Sequence, residues 1–194
     1  GGSDPETTEG ALLAAGVPSA NSLAIAADVS IWVAGGLVQR VDREKQEVQR
    51  IAGSLDASAQ PNPSDPASLL LGATGISVAG QSAFVASYQQ IFRIDSPKQS
   101  ELLAGTGAAY LDGADKDPAL TRLTAPTLLM RDPNGDGLLI RDGETRALAL
   151  PSSGSVSLRY DTGLTIAVGQ AWTFGPDGKF YIVGRSSSGF HVID

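Results

Sequence analysis

Ser82–Gly105 reads SAFVASYQQIFRIDSPKQSELLAG. It is a short β-strand, a turn, a second strand ending in Arg93-Ile94-Asp95, another turn, and a third strand ending in Leu103-Ala104-Gly105. A weaker copy occupies Ser30–Gly53, SIWVAGGLVQRVDREKQEVQRIAG. Arg40-Val41-Asp42 and Arg93-Ile94-Asp95 stand 53 residues apart, and His191-Val192-Ile193-Asp194 repeats the element at the end of the chain.

Working outward, each copy gains a strand on its N-terminal side. Leu23 and Ile25 alternate within Ser22–Ala27, Asp28-Val29-Ser30 turns, and Ile31–Ala34 carries Trp32. Gly35-Gly36 has the chemistry of a two-residue hairpin, followed by strands Leu37–Val41 and Glu47–Ala52. The second unit reads Gly75–Val78, Ala83–Tyr88, Gln90–Ile94 and Glu101–Ala104. A third starts at Pro126 with Thr127–Arg131, Leu138–Arg141 and Arg146–Leu150, its last strand being either Val156–Tyr160 or Leu164–Val168. The fourth offers Ala171–Phe174, Phe180–Val183 and Phe190–Ile193, then ends one strand short. Between units lie Ser54–Ala67, whose prolines exclude a central strand, and the loop Gly105–Thr124.

Composition agrees with a turn-rich β protein. The chain has 194 residues, 23 glycines and only 18% charged residues, and no stretch sustains a helical period. Net charge is −7 and pI about 4.6. An acidic surface excludes nucleic acid, which requires a clustered basic face, and equally an anionic membrane surface. With no cysteine, a disulfide framework, a thiol nucleophile and a cysteine-type zinc site are excluded. No apolar run approaches the ~20 residues that span a bilayer. Gly1–Gly10, GGSDPETTEG, reads as a flexible polar tether, of the kind that follows the lipidated cysteine of a bacterial lipoprotein. An ordinary frayed terminus is the alternative.

Four short strands per unit, repeated at about 53 residues, mark a β-propeller. Each unit is a blade that cannot bury both faces alone. At Leu102-Leu103-Ala104-Gly105-Thr106-Gly107, Asp112-Gly113 and Leu123-Thr124-Ala125-Pro126 the chain resembles the NHL-repeat family of propellers. Gly175-Pro176-Asp177-Gly178-Lys179-Phe180-Tyr181-Ile182-Val183 matches the same pattern again. The expected fold is therefore all-β, one propeller domain over residues 11–194 with about four NHL-like four-stranded blades near 22–53, 75–105, 126–168 and 171–194. NHL propellers usually have six blades. Ala11–Gly16 looks like an outer strand without a unit and is expected to complete the last blade, because shared termini leave no open seam. A four-bladed ring, an eight-bladed ring from two chains, or a piece of a longer propeller all satisfy the pattern.

Candidate site residues are few. Tyr88 and Tyr110 stand near loops, and Asp112, Asp115 and Asp117 form an acidic group in the second long loop; these five are the candidates for partner contact. Asp132-x-Asn134-x-Asp136-Gly137 has the oxygen spacing of the first half of a calcium loop, but its twelfth position is Gly143, with Glu144 one place off. A hairpin turn explains the same residues, leaving calcium as the second choice and no cofactor as the first. His191 is the single histidine, too few for the histidine-ringed metal of some NHL-type enzymes. No nucleophile elbow is present. Trp32, Trp172, Phe84, Phe180 and Tyr181 fall on strands and read as packing between blades.

The expected function is a non-enzymatic binding or scaffold module that presents inter-blade loops to a partner protein in an extracytoplasmic, bacterial setting, as monomer or homodimer. A divalent-metal-dependent hydrolase or lyase and a structural subunit of a larger assembly are the alternatives.

Overall fold

The computed structural model describes residues 9–11, 15–17, 19–56, 62–69, 71–105, 122–131, 137–143, 146–150, 157–161, 167–175, 179–185 and 191–193. Among these, regular structure is β apart from one turn of 3-10 helix, Pro66–Ser68. Strands β1 (Gly10–Ala11), β2 (Ser22–Ile25), β3 (Ile31–Ala34), β4 (Val38–Asp42) and β5 (Glu47–Ala52) form the first sheet, in the order β1-β5-β4-β3-β2. β6 (Ala73–Ala79), β7 (Ser82–Ser87), β8 (Gln90–Ser96) and β9 (Gln99–Ala104) form the second, in chain order. The third holds β10 (Pro126–Arg131), β11 (Leu138–Asp142), β12 (Arg146–Leu150) and β13 (Ser157–Asp161), and the fourth β14 (Ala167–Phe174), β15 (Phe180–Arg185) and β16 (His191–Ile193). All pairings are antiparallel, as short hairpin connections dictate.

Register makes the repeat explicit. Trp32 pairs with Ala24 and Arg40 in the first sheet, and Phe84 pairs with Ser77 and Arg93 in the second. Side chains alternate across a strand, so each sheet has two faces. One face of the second sheet carries Ile76, Ala83, Val85, Phe92 and Ile94. It packs on the face of the first sheet that carries Trp32, Ala34, Val38, Ile51 and Ala52. The opposite face of the second sheet, with Ala86, Ile91 and Ala104, packs on Leu138, Ile140, Leu148 and Leu150 of the third. The same junction is made twice, front face of one sheet on back face of the one before it.

Hydrogen bonds repeat with the junctions. The Asn21 amide Nδ2 donates to the Ala73 carbonyl at 3.0 Å, and the Thr74 hydroxyl donates to the Pro126 carbonyl at 2.5 Å. Both steps span 52 residues. Thr74 is the extra residue of a bulge between Ala73 and Gly75, and Thr127 holds the matching place between Pro126 and Leu128. Bulges re-aim a side chain; here the bulge turns the threonine of one inner strand toward the next. The Thr127 hydroxyl is buried and has no hydrogen-bond partner among the described residues.

Two expectations change and one alternative is resolved. Ala34 pairs with Val38, so three residues, Gly35, Gly36 and Leu37, make the first hairpin. The two-residue hairpin lies in the second sheet, where Ser87 pairs with Gln90 across Tyr88 and Gln89. The N-terminal strand does not complete the last sheet: Gly10 and Ala11 pair with Val48 and Glu47 of β5. Its continuation folds onto the same sheet, with Ala15 buried against Val41 and Val48 and Gly16 accepting from the Gln39 amide at 2.9 Å. The first sheet offers a nearby open edge and an uncovered apolar patch, so the segment satisfies both without crossing the molecule. Finally, β13 settles the last strand of the third unit in favour of the earlier of its two candidates. The proposed tether, residues 1–10, lies outside the described residues except for Glu9 and Gly10, and Gly10 is already in β1.

Candidate functional site

In an up-and-down sheet, the turn between the second and third strands and the exit of the fourth strand lie at the same end. That end gathers the 35–37 and 88–89 hairpins, the turn at Gly143, and the connections between sheets. Backbones approach closely there. A Cβ on Gly105, at φ +90°, would stand 1.9 Å from the Gln89 carbonyl oxygen, so only glycine lets β9 leave beneath the hairpin.

Tyr88 is the outstanding residue of this end. It is 61% exposed and sits at φ +52°, in the first central position of a two-residue hairpin. Gln89 is not in that region, and a positive φ at the first central position of such a hairpin favours glycine. A side chain in this conformation costs about 1–2 kcal/mol. Its ring lies against the start of the second unit, where a Cβ added to Gly72 would meet the tyrosine Cζ at 3.0 Å. Leu55, 55% exposed, stands beside the neighbouring hairpin, with its Cδ2 3.9 Å from a Cβ placed on Gly36. Two large, water-exposed side chains therefore flank the junction of the first and second sheets.

The loop that begins at Ser54 does not simply project. Ser54 N–H donates to the Leu69 carbonyl at 2.8 Å and Gly53 N–H to the Pro66 carbonyl at 2.9 Å. The Ser100 hydroxyl holds the Pro63 carbonyl at 2.6 Å, and Leu69 is buried in the core between the sheets. Asp65 caps the 3-10 turn by accepting from Ala67 N–H. The described part of this loop is thus a strap along the sheets.

Asp142 fixes the same end one unit on. Its carboxylate is buried and accepts from the backbone N–H of Thr124 at 2.7 Å and of Ala125 at 2.8 Å. Sequence reading passed over it because Arg141-Asp142-Gly143 looks like an ordinary turn. Asn21 and Thr74 escaped notice for a similar reason: their roles exist only between sheets.

At the other end, charge is paired. The Asp28 carboxylate accepts from the Ser30 hydroxyl at 2.6 Å, the Ser30 N–H at 3.1 Å and Arg40 Nη2 at 2.6 Å. The Arg40 guanidinium lies 5.9 Å from the centre of the Trp32 ring, whose Nε1 donates to the Ser30 hydroxyl. The Ser30 hydroxyl and then the Ser30 N–H hold the Asp28 carboxyl below its ordinary value against desolvation, with a lesser contribution from the Arg40 charge. In the second sheet Asp95, from the Arg-x-Asp element itself, binds both Ser82 at 2.6 Å and Arg93 at 3.0 Å. The first two sheets thus share a serine–carboxylate–arginine clamp, and in the first the carboxylate comes from Asp28 instead of Asp42. Asp42 caps its own turn, accepting from the N–H of Lys45 and of Glu44.

Of the five contact candidates, Tyr88 is placed at this loop-bearing end. Tyr110, Asp112, Asp115 and Asp117 lie outside the described residues, as do Asp132, Asn134 and Asp136 of the calcium-like turn. Among the described residues no group of three or more carboxylate, histidine or cysteine side chains could hold a metal. Trp32 is buried between the first and second sheets and Phe84 packs against the second and third, as their packing role requires. His191 pairs with Ile182 in β16. No helix among the described residues is long and apolar enough to cross a membrane.

No protein-family model and no curated protein matches the chain. Solved structures do. Over 96% of its length the chain is similar to 44% of a Bacteroides thetaiotaomicron protein of unknown function solved at 1.70 Å, with TM-score 0.61 and 11% identity. Over 90% it is similar to 22% of an extracellular domain assigned to a hybrid two-component system of B. thetaiotaomicron, with TM-score 0.54 and 12% identity. The chain spans less than half the length of either structure. At these identities the likeness is one of fold. The chain is all-β and propeller-like, built from several antiparallel sheets in sequence.

Proposed function

We propose that the chain is a set of four NHL-like propeller blades serving as a non-enzymatic binding module, with the end that carries Tyr88 as its contact surface for a partner protein. The observation that carries this reading is Tyr88 itself: an exposed aromatic held at a backbone conformation that favours glycine. Strain kept at an exposed position is a pointer to function. Tyrosine is among the residues that anchor protein interfaces, since it buries a large rigid surface at low entropic cost. Leu55 is a second exposed apolar side chain at this end. The extracytoplasmic setting belongs to this proposal. It draws support from the absence of cysteine and from the similarity to an extracellular domain.

The test is site-specific photocrosslinking in cells. A crosslinking residue at position 88 is expected to give a discrete protein adduct that one at Lys98, at the opposite end, does not. Tyr88→Asn, which keeps the left-handed conformation accessible, is expected to weaken capture of that same adduct partner without lowering the melting temperature. Equal labelling from both positions, or none from position 88, removes Tyr88 as a contact residue.

A further inference from the structure

The first three sheets are latched to one another at equivalent places near the start of their inner strands. Asn21, Thr74 and Thr127 stand 53 residues apart, 21 to 74 and 74 to 127. Each lies two places before the residue that pairs with the middle of the second strand, Leu23 with Val33, Ile76 with Val85 and Leu129 with Ile140. The Asn21 amide donates to the Ala73 carbonyl and the Thr74 hydroxyl to the Pro126 carbonyl. Each acceptor stands just before a break in register, opposite the last residue of the second strand: Ala73 faces Ser87 and Pro126 faces Asp142. Where the latch is made the inner strands lie together, β2 along β6 and β6 along β10. The third donor differs. The Thr127 hydroxyl is buried without a hydrogen-bond partner among the described residues, and among these residues β14 does not lie along β10.

A buried hydroxyl without a partner is costly, and such a group calls for a physical explanation. The fourth sheet carries the matching acceptor. Ala167 faces Arg185, the last residue of β15, and stands just before the register break between Ala167 and Ala171. It therefore holds the place that Ala73 and Pro126 hold in the second and third sheets. We infer that the joint between the third and fourth sheets has a second, latched state, in which the Thr127 hydroxyl donates to the Ala167 carbonyl and β14 lies along β10. The structure holds the released state. Latching satisfies the orphaned hydroxyl and seats the fourth sheet at the step that the first three define. The joint is thus a conformational device, with one hydrogen bond and the meeting of two inner strands setting whether the fourth sheet is seated. It does not depend on the contact role proposed for Tyr88.

Nuclear magnetic resonance on the intact 194-residue chain tests this. With the alanine carbonyls isotope-labelled, Thr127→Val should move the Ala167 signal, whereas Thr74→Val, whose acceptor is Pro126, should not. Thr127→Ser keeps the donor and should leave the Ala167 signal near its original position. Hydrogen exchange at the β14 amides should speed up by about two- to tenfold in Thr127→Val relative to β7 and β8, the equivalent of one net hydrogen bond. A hydroxyl without a partner in solution gives the reverse, slower exchange and a higher melting temperature for Thr127→Val, and overturns the proposal. An Ala167 signal that ignores Thr127→Val also overturns it, and is the result expected where a bound water alone satisfies the hydroxyl. The unmutated chain gives a reading that no variant's failure to fold can spoil. Thr127 protons should show Overhauser contacts to Ala167, and their absence overturns the latch.

Discussion

Leu23 and Ile76 occupy the same register position in successive sheets, each opposite a valine of the next strand, yet one is 65% and the other 5% exposed. The difference is the presence of a neighbouring sheet. Burial of such a side chain is worth about 1.5–3 kcal/mol, so junctions between sheets, rather than hairpins within them, carry much of the stability. A single hairpin is marginal in water.

Truncating a side chain at such a junction should therefore be costly. Ile94 is fully buried between the first and second sheets. Ile94→Ala is expected to cost about 2–5 kcal/mol, read as a fall in the urea midpoint with little change in its slope. A loss under half a kilocalorie per mole would show that the two sheets do not pack as described.

Asp142→Ala removes the acceptor for two backbone donors, Thr124 N–H and Ala125 N–H. Each buried donor left unpaired costs about 1–3 kcal/mol. Hydrogen exchange at residues 124 and 125 should accelerate most, while the amides of β7 and β8 keep their protection relative to global stability. Asp142→Asn, which retains one oxygen acceptor, should be milder.

Gly105 and Gly80 both have positive φ, at +90° and +61°, but only Gly105 has a backbone atom in the way. Gly80→Ala should cost about 1–2 kcal/mol from conformation alone. Gly105→Ala must in addition move the Gln89 carbonyl, and thermal melting should place it well below the Gly80 variant. Equal melting temperatures would mean that β9 does not pass beneath the Tyr88 hairpin.

Asp28 predicts part of the acid response. Its carboxyl is held below the ordinary value of 3.8, first by the Ser30 hydroxyl. A depressed folded-state value contributes stability above the unfolded-state value, and that contribution is lost as pH falls through the folded one. The expected window therefore begins near the ordinary carboxylate range and extends below it. Asp28→Asn should flatten the melting temperature against pH over roughly pH 5 to 2, with less effect at neutral pH in high salt, since the Arg40 pair is partly exposed.

The strands were legible in the sequence because their signals are local. Alternating apolar residues, turn residues and the Arg-x-Asp spacing placed the second unit within a few residues of β6 to β9. The site was less legible. Tyr88 was noticed for its nearness to a loop, but its left-handed backbone comes from a two-residue hairpin that the sequence signalled at Gly35-Gly36 instead. Asp142 looked like any turn carboxylate, because its partners, Thr124 and Ala125, become neighbours only once β11 pairs with β10.

By itself the sequence determined the period of the repeat, the antiparallel units and the exclusion of cysteine chemistry, since each follows from residue type and spacing along the chain. Tertiary structure decided which face of each sheet is covered, where the N-terminal strand pairs and which side chains bridge one unit to the next. These depend on which surfaces meet: β1 joins β5 because that edge and the apolar patch beside it are close at hand, and Leu23 is exposed because no sheet among the described residues lies against it.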